Sequence, residues 1–312
     1  MAILRVELRS LAALSPPCYH GRMLLGLLRS MRPTQWAKNV FVFAALVFDQ
    51  KLLAPAPFVR TLAGFGLFCL ASSVVYLVND VADRESDRQH PTKRNRAIAA
   101  GVVPPRVALA VAAGMAAIAL VGGFALGTAF GLILVGFLAL NLLYSFWLKH
   151  VPIIDVFIVA AGFVLRVGAG VSLIVVTRFS PWLYVCTTLL ALYIGFGKRR
   201  AEMVLVAAAS KDTRRVLDGY TISFLDQLIV IVSATTIVAY SLYTFSAENL
   251  PKNHTMMLTI PFVIYGIFRY LYLIQVENSG GAPEELVLKD RPLMATLVLW
   301  GVASVAVLYL GQ

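Results

Sequence analysis

The stretch Phe58–Asp87, FVRTLAGFGLFCLASSVVYLVNDVADRESD, runs from an apolar segment straight into an acidic one. Residues 58–79 are long and apolar enough to cross the hydrocarbon core of a bilayer as one helix. At the end of that run stand Asn79, Asp80, Asp83 and Asp87, followed by a basic cluster at Arg88, Lys93, Arg94 and Arg96. Steps of three and four return to one side of a helix, so the asparagine and the carboxylates are expected on a shared face. Such a cluster repels itself unless something positive sits in it. An oxygen-only set suits Mg²⁺, a hard cation that keeps several waters and usually binds together with substrate phosphates. The plain alternative is a solvated charged loop between two membrane spans.

The rest of the chain supports the membrane reading. Of its 312 residues, 59% are hydrophobic and 14% charged, against about 25% charged in ordinary soluble proteins. An all-α polytopic membrane protein is expected, with one membrane domain over 31–312 and about nine spans. The windows lie near 37–54, 58–79, 106–123, 126–148, 152–176, 181–198, 222–246, 255–275 and 292–310. The net charge of +11 would raise nucleic-acid binding in a soluble protein. Here it is read as positive residues flanking spans, and no nucleic-acid partner is expected. Cys18, Cys69 and Cys186 are scattered and fit packing positions, forming no metal pattern.

The connections alternate in charge. Residues 1–38, 80–106, 149–151, 199–221 and 276–291, with Lys198 at an edge, carry 21 of the 27 Lys and Arg. The opposite connections hold only Lys51, Arg60, Arg178 and Lys252. The positive-inside rule therefore puts the N-terminus and the long charged loops in the cytoplasm, and with them the acidic motif. Residues 1–30 read as an N-terminal extension without a clear signal peptide, of which 1–20 are either a loose tail or an interfacial amphipathic segment.

A second constellation lies in Tyr144–Arg166, YSFWLKHVPIIDVFIVAAGFVLR. Lys149 sits in a very short loop. Asp155 and Arg166 share a helix face, with Arg166 roughly 16 Å further along the axis. A charge at that depth needs a partner or a wet cavity. A site facing a cavity and a structural ion pair both remain open. Gly162, Gly168 and Gly170 nearby allow close helix packing. A third cluster, Gly195, Gly197, Lys198, Arg199, Arg200 and Glu202, continues into Lys211, Asp212, Arg214, Arg215 and Asp218. Its cations suit phosphate oxygens, or membrane-surface charge that serves topology. The last loop, with Gly280, Gly281, Glu284, Glu285 and Asp290, reads either as a solvated connector or as polar support for the site. No Walker-type phosphate loop is present, and His20, His90, His150 and His254 make no zinc pattern.

Nine spans with Asn79-Asp80-Val81-Ala82-Asp83-Arg84-Glu85-Ser86-Asp87 after the second resemble the UbiA superfamily of intramembrane prenyltransferases. The likeness covers essentially all of 31–312. Within it, Arg32-Pro33-Thr34-Gln35-Trp36-Ala37-Lys38-Asn39 is similar to the decaprenyl-phosphate phosphoribosyltransferase branch. So are Tyr144-Ser145 with Lys149, Asp155 and Arg166, and Gly197-Lys198-Arg199 with Glu202. The run from Gly280-Gly281 to Asp290-Arg291-Pro292 fits that branch too. Typical prenyltransferases of the superfamily carry a second D-x-x-x-D motif in the loop after span six. Here Lys198, Arg199 and Arg200 dominate that loop, and Asp212 and Asp218 stand six apart.

The resemblance implies a UbiA-like helical bundle in the cell membrane, with an Mg²⁺-dependent site at the cytoplasmic face. The implied reaction moves a 5-phosphoribosyl group from 5-phosphoribosyl 1-diphosphate to a polyprenyl phosphate. Asn79, Asp80, Asp83 and Asp87 would hold the metal. Asp80, Asp83, Lys149, Asp155 and Arg166 would act in the chemistry, with Lys38, Tyr144, Lys93, Arg94, Lys198 and Arg199 binding substrate. A prenyltransferase joining a prenyl diphosphate to an aromatic or polar acceptor is the alternative, and a transporter a more distant one. Homo-oligomerisation stays open.

Overall fold

A chain surrounded by lipid has no water to satisfy its backbone, so apolar runs of this length must close their hydrogen bonds internally as helices. The structure, a computed structural model, describes residues 16–90, 93–176, 180–209, 219–279 and 283–310. Among them every regular element is helical and none is a strand. In chain order these are α1 (Pro16–Ser30), a 3₁₀ segment (Pro33–Phe43), α2 (Ala44–Phe48), α3 (Pro55–Ala82), α4 (Arg84–Gln89) and α5 (Pro105–Leu126). Then come α6 (Thr128–Phe146), α7 (Ile154–Leu173), α8 (Trp182–Ala209), α9 (Ile222–Ser246), α10 (Ile260–Gln275), α11 (Pro283–Lys289) and α12 (Arg291–Leu310). Proline opens several of them, where the missing N–H is not needed. Thr221 caps α9 by accepting from the Phe224 N–H.

Among the described residues seven segments are long and apolar enough to cross a membrane: α3, α5, α6, α7, α9, Thr255–Gln275 and α12. The chain is thus all-α and polytopic as expected, but the count is seven where the sequence windows gave nine. The window 37–54 is not one helix; it holds the 3₁₀ segment and the five-residue α2. Tertiary contacts hold that backbone: the Val42 carbonyl lies against Gly170 of α7, where an added Cβ would come within 2.0 Å of it. The window 181–198 became the 28-residue α8, whose C-terminal half carries Lys198, Arg199, Arg200 and Glu202. Its length suffices, and its charge keeps it out of the seven.

The chain divides into two compact units, Met1–Ala37 with Leu67–Gly122 and Lys38–Gly66 with Gly123–Gln312. The described α1 belongs to the first unit. Its Leu27 is buried, and an added Cβ on Gly26 would meet Val103 at 2.9 Å. Trp36 Nε1 donates to Ser73 Oγ at 3.1 Å, and Ser73 Oγ donates to the Cys69 carbonyl at 2.8 Å, tying the 3₁₀ segment to α3. In the second unit, Val156, Tyr193, Phe196, Tyr220, Ile229 and Tyr270 are part of one core cluster. Tyr193 Oη donates to the Ile267 carbonyl at 2.7 Å, which settles its buried hydroxyl.

Candidate active site

In the first unit the acidic motif straddles the joint between α3 and α4. Asp83 stands between the helices, yet its N–H donates to Asn79 O and the Asp87 N–H donates to Asp83 O, both at 2.8 Å. The helical path therefore continues through the joint. Asp80 and Asp87 are each 2% exposed. Arg96 Nη1 donates to Asp87 Oδ2 at 2.7 Å and to Asp80 Oδ1 at 3.3 Å. Arg32 Nη2 donates to the same Asp80 Oδ1, and its guanidinium lies 4.9 Å from the centre of the Tyr76 ring. Lys93 and Arg94 are exposed; it is Arg96 that reaches the carboxylates.

The donor set fits a hard divalent cation in one respect: all its ligand atoms are oxygens, and Asp80 and Asp87 lie close enough for a single nitrogen to touch both. Among the described residues no group of three or more His, Cys, Asp or Glu converges as a metal centre. Arg96 and Arg32 now balance the buried charge.

In the second unit the positive charge is organised around Arg199. Its Nε donates to Asp155 Oδ2 and its Nη1 to Glu202 Oε2, both at 2.5 Å. Its Nη2 reaches Tyr144 Oη at 3.3 Å. Asp155 is fully buried. Its second oxygen accepts from Tyr220 Oη at 2.8 Å, and Tyr220 Oη in turn accepts from the Ile153 N–H. Burial and the adjacent Asp155 carboxylate push the Tyr220 phenol above its ordinary pKa, so it stays a donor. Ile153 has φ 69°, a strained conformation for a β-branched residue, immediately before α7. Asp155 thus holds Arg199 in place and does not present a free carboxylate.

Asp155 and Arg166 lie on the same helix but bond to different residues. Arg166, 8% exposed, donates from Nε to Asn39 Oδ1 at 2.8 Å and from Nη1 to the Gly162 carbonyl at 2.7 Å. Its guanidinium sits 4.8 Å from the Phe137 ring centre and 5.4 Å from that of Phe163. Lys38, Lys149 and Lys198 are partly exposed in this same unit. Arg200 is turned into the packing: Nε donates to Asp226 at 2.6 Å and Nη1 to the Ile274 carbonyl at 2.8 Å. Asp290 pairs with Arg269 at 2.6 Å. Arg178, Lys211, Asp212, Arg214, Arg215, Asp218, Gly280 and Gly281 lie outside the described residues.

Sequence reasoning left four participants out of the expected site. Arg96 stood in the basic run after the motif, and Arg32 in the run Arg32–Asn39, so both carried a signal. Asn39 closed that same run, whereas Tyr220 carried no signal beyond its polarity, because its partner Asp155 lies 65 residues away.

An all-α membrane protein with an acidic helix end and a buried arginine framed by carboxylates defines a class of membrane-embedded enzymes acting on anionic groups. The chain belongs to the UbiA prenyltransferase family, whose model matches residues 39–280. It is 33% identical over 299 residues to a decaprenyl-phosphate phosphoribosyltransferase of Corynebacterium glutamicum, covering 91% of this chain and 87% of that protein. It is 34% identical over 285 residues to the protein of that name from Mycobacterium tuberculosis, covering 90% and 93%. The fold is shared with a UbiA homologue from Archaeoglobus fulgidus bound to GPP and Mg²⁺, at TM-score 0.70 and 20% identity, covering 91% of this chain and 99% of that one.

Proposed function

We propose that the protein transfers a 5-phosphoribosyl group from 5-phosphoribosyl 1-diphosphate to a polyprenyl phosphate of the decaprenyl type, releasing diphosphate. The observation that carries this reading is the likeness, over about nine-tenths of the chain, to relatives named for that lipid phosphate and that transfer. The reaction would take place at the cytoplasmic face of the cell membrane, where the charge asymmetry puts the acidic motif.

Asn79, Asp80, Asp83 and Asp87 would hold Mg²⁺, which when bound neutralises diphosphate charge and improves the leaving group. Departure of diphosphate leaves positive charge building on the ribosyl ring, as in other glycosyl transfers. The acceptor phosphate is already an anion and needs no general base. Lys38, Lys149 and Arg166 would neutralise and orient phosphate groups, since two anions must be brought together. Arg199 is held by Asp155 and Glu202 through two of its nitrogens, and its Nη2 donates to Tyr144 Oη. Asp155 and Tyr220 then act through Arg199 as positioning residues. Lys93, Arg94 and Lys198 remain candidates for the 5-phosphate or diphosphate.

The second reading is transfer of a prenyl group, favoured by the A. fulgidus neighbour of the same fold, which holds GPP and Mg²⁺. The first reading is favoured by the sequence after the sixth expected span, which lacks the second D-x-x-x-D motif of typical prenyltransferases and carries the partly exposed Lys198. Purified protein given Mg²⁺, polyprenyl phosphate and labelled phosphoribosyl diphosphate should put label into the lipid fraction. Turnover of a prenyl diphosphate alone would support the second reading.

A further inference from the structure

The acidic motif is already neutralised, and by a group that a phosphate would also attract. One nitrogen of Arg96 touches both Asp80 and Asp87. Those carboxylates are 3% exposed as side chains, whereas Arg96 is 30% exposed. Arg32 differs. It touches Asp80 alone and is seated over Tyr76, so an aromatic contact would keep it in place if the carboxylate changed partner. Among the described residues Arg96 makes these two ion pairs, both to motif carboxylates.

A buried carboxylate pair needs a cation, and a guanidinium or a divalent metal ion can supply it. Both cannot occupy the oxygens between Asp80 and Asp87 at once. A metal ion arriving there must displace Arg96, which leaves a partly exposed guanidinium without its counter-charge. That displacement is unfavourable unless a new anion takes up the arginine. A diphosphate does so, since its oxygens match the guanidinium fork. Resting on the metal reading above, we infer that Arg96 couples the two ligands: it holds the motif closed to metal alone and moves to diphosphate when metal and diphosphate bind together. Arg96 is thus a positioning residue, and binding of the pair is cooperative. By linkage the coupling is reciprocal, so metal strengthens diphosphate binding by the same factor.

The test uses the full-length protein in detergent, Mn²⁺ as a spectroscopically visible divalent ion, and inorganic diphosphate, with no ribosyl donor or lipid. Wild type should bind Mn²⁺ at least tenfold more tightly with diphosphate present than without. Arg96→Gln should bind Mn²⁺ alone at least tenfold more tightly than wild type and gain little from diphosphate. Because that variant leaves the buried Asp87 carboxylate without its arginine, its folding is followed as well: Mn²⁺ alone should raise its melting temperature by more than it raises that of wild type. Arg96→Lys keeps the charge without the fork and should fall between the two. Equal metal-only affinity in wild type, Arg96→Gln and Arg96→Lys would overturn the coupling while leaving the metal site intact. A wild-type chain that binds no Mn²⁺ even with diphosphate would overturn both the coupling and the metal reading beneath it.

Discussion

Asp155 shows what a residue can conceal in a sequence. Its spacing from Arg166 suggested a shared role, but its carboxylate is spent on Arg199 and Tyr220, 44 and 65 residues away. Local spacing predicts same-face neighbours on a helix; it says nothing about which helix supplies the partner. Asp155→Asn removes one of the two carboxylates on the buried Arg199 and leaves it Glu202 as its counter-charge. A loss of about 1.5–3 kcal/mol in stability is expected, read from the unfolding transition. Tyr220→Phe removes two hydrogen bonds, one to Asp155 and one from the Ile153 N–H, and should cost about 1–3 kcal/mol. In that variant kcat is expected to fall more than KM for the donor rises, while a purely structural role would leave the kinetics of the folded fraction unchanged. By contrast, the acidic motif was legible, because i, i+4 spacing survives the α3–α4 joint. Asp80→Ala and Asp83→Ala should each insert into the membrane yet lose Mg²⁺-dependent turnover. Unchanged turnover in either would remove that residue from the metal role.

At the scale of elements, hydrophobic periodicity and length located the long spans well, and failed where tertiary contact dictates the backbone. The segment Pro33–Phe43 lies partly inside an expected span yet takes a 3₁₀ path, with Val42 pressed on Gly170 and Asn39 bonded to Arg166. Gly170→Ala puts a methyl into the Val42 carbonyl and should lower stability by about 1–3 kcal/mol. An unshifted melting temperature would show that the segment can move away. The Arg269–Asp290 pair joins α10 to the start of α12. The hydrogen bond from Arg269 holds the Asp290 carboxyl below its ordinary value of 3.8. A group whose pKa is depressed on folding contributes fully above its unfolded value. The pair's contribution should therefore be intact at neutral pH and be lost as pH falls below about 4. In Asp290→Asn that part of the acid dependence should be absent.

For the whole molecule, composition alone was enough to predict an all-α polytopic chain, because few sequences so poor in charge can fold in water. The count of spans was not legible: α8 is long but charged at one end, and the first window is broken. The proposed membrane orientation rests on the Lys and Arg distribution and can be checked directly. With native cysteines replaced, His150→Cys should react with an impermeant thiol reagent only from the cytoplasmic side, and Lys252→Cys only from the opposite side.

The most direct test of the proposed activity is transfer itself. Purified protein is supplied with Mg²⁺, polyprenyl phosphate and phosphoribosyl diphosphate labelled in the ribose. Label should move into the lipid fraction with release of one diphosphate per ribosyl group, and chelation of the metal should abolish it. Label remaining wholly in the aqueous phase, with active turnover of a prenyl diphosphate by the same preparation, would contradict the account.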